Sequence, residues 1–218
     1  MTTRGTFITL EGVDGAGKST QVAMLVECLR ASGREVVSLR EPGGTAISEK
    51  IRALILDRDN AEMADECELL LFEAARAQLV RQVIEPALDR GAIVVCDRFF
   101  DSTYAYQASA RGMDAELVHR ANELGSCGVA PDLTIVLDMD PERAFARAEG
   151  RGEHDRMEAE GLAFQRRVRA GFAELARREP TRVRLVDAAG DTREVAARID
   201  VELARVGLVA ANGGAAHD

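Results

Sequence analysis

"LEGVDGAGKSTQ" (residues 10–21) is the stretch that decides the fold. It follows a short β-rich apolar run, "GTFITLEG", and opens a segment with apolar residues at helical spacing (Val22, Leu25, Val26, Leu29). Between them lies Gly12-x4-Gly17-Lys18-Ser19, the full pattern of a phosphate-binding loop. Glycines let backbone N–H groups converge on phosphate oxygens, and the helix start adds its positive dipole end. The pattern assigns Gly12, Val13, Asp14, Gly15, Ala16, Gly17, Lys18, Ser19 and Thr20 to a nucleoside triphosphate, with Lys18 on its β and γ phosphates and Ser19 on Mg²⁺.

Outward from this loop the chain alternates strands and helices. After the helix at 18–32 come a strand at 35–39 and helices at 46–57 and about 65–89. Further strands are expected at 92–96, 132–138 and 182–187, with a last helix at 191–206. Such alternation predicts an α/β protein with a mostly parallel sheet and helices on both faces. Ligands then sit at the carboxyl ends of the strands. The chemically rich segments do follow strands: "EGVDGAGKS", "REPGGT", "DRFFDS" and "DMDPER".

The bulk numbers agree with one domain, taken as 1–209, followed by a disordered tail at 210–218. Of 218 residues, 46% are hydrophobic and 30% charged, which is ordinary for a soluble globular chain. A net charge of −9 argues against nucleic acid as a partner. It also means that arginines must be concentrated wherever phosphates are handled. Cys28, Cys67, Cys96 and Cys127 are widely spaced and form no CxxC pair, so four reduced and mostly buried thiols are expected. The first apolar run is too short for a signal peptide or membrane span, so a cytoplasmic protein with no membrane partner is expected.

The loop does not name the phosphoryl acceptor. No N/TKxD-like reader of guanine is present, and the size suits a small kinase. In "CDRFFDSTYAYQ" (96–107), Asp97 caps an apolar strand, where a carboxylate that organises Mg²⁺, directly or through water, belongs. In "FEAARAQ" (72–78), Phe72 and Arg76 are four apart and share a helix face, an aromatic ring beside a guanidinium. The rival readings are another nucleoside monophosphate kinase and a deoxynucleoside kinase; the hydroxyl acceptor of the latter would need a carboxylate base near the 5′-oxygen, for which Glu11 or Asp97 is available. A P-loop protein without turnover would be expected to have lost Lys18 or Arg98, and both are present.

Taken in order, "EGVDGAGKSTQ", "REPGGT", "FEAARAQ" and "DRFFDSTYAYQ" resemble bacterial thymidylate kinase, from about residue 6 to 206. The resemblance implies a three-layer α/β/α P-loop kinase fold with a five-stranded parallel sheet of order 2-3-1-4-5, a mobile lid and a homodimer. It implies transfer of the ATP γ-phosphoryl group to dTMP, giving dTDP, in dTTP synthesis. It further implies that Phe72 stacks on thymine, Arg76 bonds its O4 edge and Arg98 holds the acceptor phosphate. By the same resemblance, Asp14 contacts the deoxyribose 3′-hydroxyl and the metal environment, and Ser102, Thr103, Tyr106 and Gln107 line the nucleoside pocket. Glu41, Pro42 and Arg52 wall the acceptor. The apolar helix faces around 65–89 and 114–124 are candidates for the dimer interface.

The acceptor phosphate is mostly dianionic near neutral pH, since its second pKa is about 6. No base is needed to activate it. The difficulty is bringing two anions together, so alignment and positive charge must supply the rate. The charged stretch "RAEGRGEHDRMEAEG" (147–161) resembles the lid. Related kinases carry a basic residue either inside the P-loop or in the lid. Gly15 and Ala16 occupy the loop here, so the resemblance points to the lid, with Arg151 and Arg156 on the γ-phosphoryl group and Arg147 against adenine. Met157 stands where some relatives have tyrosine.

Overall fold

A computed structural model describes residues 4–149, 156–157 and 160–208. Five strands form one parallel sheet: β1 (Phe7–Glu11), β2 (Val36–Arg40), β3 (Ile93–Asp97), β4 (Leu133–Asp138) and β5 (Val183–Asp187). Their order is β2-β3-β1-β4-β5, as expected. The inner strands β1, β3 and β4 are buried almost throughout, whereas the edge strands β2 and β5 are only partly buried. Helices cover both faces, so the inner strands have no solvent side on which to place polar residues.

Those helices are α1 (Lys18–Ala31), α2 (Ala46–Leu56), α3 (Asp65–Leu79), α4 (Glu85–Asp89), α5 (Phe100–Thr103), α6 (Ala115–Gly125), α7 (Pro141–Glu149), α8 (Gly161–Arg178) and α9 (Thr192–Arg205). Successive β1 side chains point to opposite faces. Ile8 and Leu10 join a core with Val22, Leu25, Phe172 and Ile199. Phe7 joins a second core with Leu79, Ile84, Leu88 and Phe99. The sheet is thus the middle of three layers.

Two expectations need adjustment. The helix expected at 65–89 is broken into α3 and α4 by a π-helical turn at Val80–Ile84. Pro86, in the first turn of α4, has no N–H to donate to the preceding turn, so a regular helical ladder cannot run through it. Buried cysteines were expected, but Cys28 and Cys67 are exposed and Cys127 is partly so; only Cys96, in β3, is buried. The helix-borne thiols fall on the outer faces, which wide spacing alone could not show.

Strand register brings the site together. Leu10 of β1 lies beside Asp97 of β3, and Asp97 lies beside Arg40 of β2. The segments after these three neighbouring strands therefore emerge at one level. Arg151 and most of the 147–161 stretch, and the 210–218 tail, lie outside the described residues.

Candidate active site

The loop between β1 and α1 is shaped by its glycines. Gly17, at the start of α1, has φ 97°, a left-handed conformation that an L side chain adopts only at a cost, and offers no side chain to cap the first amides. A Cβ on Gly15 would lie 2.0 Å from the Ala144 carbonyl oxygen. Lys18 Nζ donates to the Gly12 and Val13 carbonyls at 3.1 and 2.9 Å. Burial, reinforced by the charge of Arg98, pulls the Lys18 pKa down to about 8. An anion in the loop would reverse that shift.

Arg98 follows β3 with φ 72°, in the left-handed region although it is not glycine. A strained backbone of this kind persists where its surroundings over-determine it. Its amide is bonded to the Leu10 carbonyl at 3.0 Å. Its guanidinium donates to the Gly12 carbonyl (3.1 Å), Ser102 Oγ (3.0 Å), Tyr106 Oη (3.1 Å) and the Asp14 carboxylate. It also lies over the Tyr106 ring, 5.1 Å from its centre. Asp14 accepts further bonds from Tyr106 Oη and Gln165 Nε2, each at 3.0 Å. Burial would push the Asp14 carboxyl up, but the charges of Arg98 and Lys18 outweigh it and hold the pKa below the ordinary value.

A cavity of about 450 Å³ opens at this level. It is lined by Asp14, Gly15, Gly17, Lys18, Ser19 and Thr20 of the phosphate loop and the start of α1, and by Glu41, Pro42, Arg52, Phe72, Arg76, Thr103 and Gln107. Arg98, Ser102 and Tyr106 also contribute to its wall. Among the described residues, five cationic side chains (Lys18, Arg40, Arg52, Arg76, Arg98) meet three acidic ones (Asp14, Glu41, Asp97). In a chain of net charge −9, that inverts the sign locally.

Arg76 is nearly sealed from solvent. It donates to Glu41 Oε2 (2.8 Å), Glu73 Oε1 (2.5 Å), Asn122 Oδ1 (3.2 Å) and Thr103 Oγ1 (2.9 Å). Burial raises the carboxyls of Glu41, to about 7, and of Glu73, although Arg76 opposes both shifts. Arg52 donates to the Pro42 carbonyl at 2.9 Å, which ties α2 to the turn after β2.

On the phosphate side, Ser19 Oγ donates to Asp97 Oδ2 at 2.8 Å. Glu11 is different. It is fully buried, accepts from Phe99 N (2.7 Å) and Ser102 Oγ (2.5 Å), and does not line the cavity. It is a support for the segment after β3, not a base facing an acceptor.

Two lid-region arginines are placed elsewhere. Arg156 is buried; its Nε donates to the Ile55 carbonyl (2.7 Å) and its Nη2 to Glu68 Oε2 (2.5 Å). Arg147 Nη1 lies 3.5 Å from Met139 Sδ. Neither lines the cavity, whereas Met157 does. The expected γ-phosphoryl contact of Arg156 would require leaving Glu68 and Ile55. Arg151 falls outside the described residues.

Gln165, Glu68, Glu73 and Asn122 escaped sequence reasoning. Each is buried on a helix. The available signal was a polar residue at a position that helical spacing assigns to the inner face, such as Gln165 beside Phe164 and Val168 on α8.

Loop, sheet order and a cavity beside the loop lined by Arg40, Arg52, Arg76 and Arg98 define the class: a P-loop nucleotide kinase. A family model described as thymidylate kinase matches residues 10–199. The chain is 50% identical over 207 residues to a thymidylate kinase of Desulfosudis oleivorans, covering 92% of this chain and 97% of that protein. It is 47% identical over 199 residues to one from Syntrophotalea carbinolica, covering 88% and 92%. A crystal structure of thymidylate kinase from Ehrlichia chaffeensis matches with a TM-score of 0.75 and 35% identity, over 92% of this chain and 99% of that one. The chain belongs to the thymidylate kinase family.

Proposed function

We propose that this chain transfers the γ-phosphoryl group of ATP to the 5′-phosphate of dTMP, giving dTDP and ADP. The observation that carries the reading is one cavity lined both by the phosphate loop and by Phe72, Arg76, Arg98 and Gln107. ATP phosphates bind the loop amides and Lys18. Arg98, held by Asp14 and Tyr106, receives the acceptor phosphate. Phe72 stacks on the base and Arg76 donates to its O4. Tyr106, buried against Asp14, limits space at the sugar and disfavours ribose. Glu41, Pro42, Arg52, Ser102 and Thr103 complete the acceptor wall.

The acceptor is already an oxyanion, so the site needs no general base. The buried state of Glu11 agrees with that. Catalysis rests on alignment and on cations that neutralise charge repulsion.

The residues fit Mg²⁺. Ser19 Oγ and Asp97 Oδ2 are hard oxygen donors 2.8 Å apart beside the phosphate loop. Among the described residues no group of three or more His, Cys, Asp or Glu could hold a metal, so substrate and water oxygens would complete the octahedral shell. When bound, the ion supplies charge neutralisation at the transferring phosphate.

We further propose a homodimer and a cytoplasmic location. Leu70 of α3 is 64% exposed and Leu124 of α6 is 79% exposed, which suits an apolar face covered by a second copy. No helix of the described residues is long and apolar enough to cross a membrane.

The test is an ADP-release assay with Mg²⁺-ATP and dTMP, dUMP, UMP, dCMP, AMP, GMP and thymidine. Fastest turnover with dTMP is expected. Preference for thymidine would make the enzyme a hydroxyl kinase and remove Arg98 from the acceptor phosphate.

A further inference from the structure

Glu68 of α3 touches neither the cavity nor the loop, yet it is only 1% exposed. Its carboxylate accepts from Gln107 Nε2 (2.8 Å), Arg111 Nε and Nη2 (2.6 and 2.9 Å) and Arg156 Nη2 (2.5 Å). Burial would raise its pKa, but the hydrogen bonds from Arg111 and Gln107 and the charge of Arg111 hold it below the ordinary value. An ionised carboxylate only accepts hydrogen bonds. The Gln107 amide is therefore oriented with its NH₂ toward Glu68. Its Oε1 takes the other direction and has no hydrogen-bond partner among the described residues. Gln107 is itself 1% exposed and lines the cavity.

Arg76 supplies the complementary group. A guanidinium has five N–H bonds. Four go to Glu41, Glu73, Asn122 and Thr103. The fifth, on Nη2, has no partner among the described residues, and Arg76 lines the same cavity as Gln107. Gln107 and Arg76 thus offer the cavity an acceptor and a donor. Thymine presents a donor at N3 and an acceptor at O4. Cytosine presents the reverse, an acceptor at N3 and an amino donor at position 4.

We infer that Glu68 is a specificity-determining positioning residue: by accepting the Gln107 amide it directs the glutamine carbonyl into the cavity, so the site takes a pyrimidine with N3–H and O4 and rejects one with a 4-amino group. The inference rests on the dTMP reading of the same cavity. Glu68 acts through Gln107 and does not touch substrate.

The experiment measures kcat and KM for dTMP, dUMP and dCMP with the full chain, its Glu68→Gln variant and its Glu68→Asp variant. Glutamine at 68 can donate or accept, so it leaves the Gln107 amide free to turn. The dTMP-to-dCMP ratio of kcat/KM should fall about tenfold, or ~1.4 kcal/mol, with the dTMP loss falling on KM more than on kcat. The dTMP-to-dUMP ratio should stay constant, because both bases present N3–H and O4. A purely structural role lowers all three acceptors together, and an unchanged dTMP-to-dCMP ratio overturns the inference. If the glutamine variant fails to fold, Glu68→Asp decides on the same ratio, since it keeps the charge for Arg111 and Arg156 but withdraws from the amide. A wild-type enzyme that does not prefer dTMP to dCMP would instead sink the dTMP reading, and the inference with it.

Discussion

Arg98 does two separable things, and two substitutions distinguish them. Its guanidinium neutralises Asp14, and its backbone holds φ 72°. Arg98→Ala removes the charge and keeps the left-handed strain. Arg98→Gly removes the charge and relieves strain of about 1 kcal/mol. Both leave the Asp14 carboxylate with Tyr106 and Gln165 as its hydrogen-bond partners among the described residues. Breaking a buried ion pair costs about 3–5 kcal/mol. The low end applies here, because the two side chains keep 17% and 19% of their exposure. The alanine variant should therefore lose about 3 kcal/mol of stability in urea unfolding, and the glycine variant about 2. In the coupled assay both should lose about 10²–10³-fold in kcat/KM for dTMP, the usual effect of deleting one charge-stabilising donor. Binding of a non-hydrolysable ATP analogue, followed by calorimetry, should survive in both, because Lys18 and the α1 amides are intact. A dTMP kcat/KM within about threefold of wild type would falsify the placement of the acceptor phosphate on Arg98. A glycine variant no more stable than the alanine variant would refute the strain argument.

Three further outcomes are expected. Gly125→Ala builds a Cβ 1.8 Å from Glu73 Oε2 and must displace the carboxylate that holds Arg76, so urea unfolding should show a loss of about 3 kcal/mol; an unchanged midpoint would contradict that packing. Burial, and then the nearby charge of Asp101, raise the Glu11 pKa to about 8 from 4.5. The folded state therefore holds that proton more tightly, and the stability it contributes is full below pH 4.5 and disappears as pH rises through 8. Glu11→Gln imitates the protonated form, so its melting temperature should fall less than wild type between pH 5 and about 8.5; parallel curves would refute the assignment. Leu124→Asp should shift the chain toward monomer in sedimentation velocity, and an unchanged dimer would move the interface off the α6 face.

Much of the fold was legible because its determinants are local. The phosphate loop is a set of glycine spacings within one short stretch, and its meaning follows from which backbone angles glycine permits. The five strands were legible as apolar runs, although β2, β3, β4 and β5 each start one residue later than expected. Phe72 and Arg76 were legible as a pair because helical spacing puts residues four apart on one face. The π-helical turn before Pro86 was not located, because a proline restricts the ladder without fixing where it loosens.

What the sequence by itself determined was the chemistry of the loop, the alternation of strands and helices, and the residue types carried at the strand ends. Tertiary structure alone decided how those residues are held. Gln165 reaches Asp14 across 151 positions, and Arg156 reaches Glu68 across 88. No periodicity encodes such pairings. They exist because the parallel sheet brings β1, β2 and β3 out at one level and the helices packed on it deliver buried polar groups to that level. There, burial makes an unmet hydrogen bond costly, and that cost fixes the direction in which Arg98, Arg76 and Gln107 point.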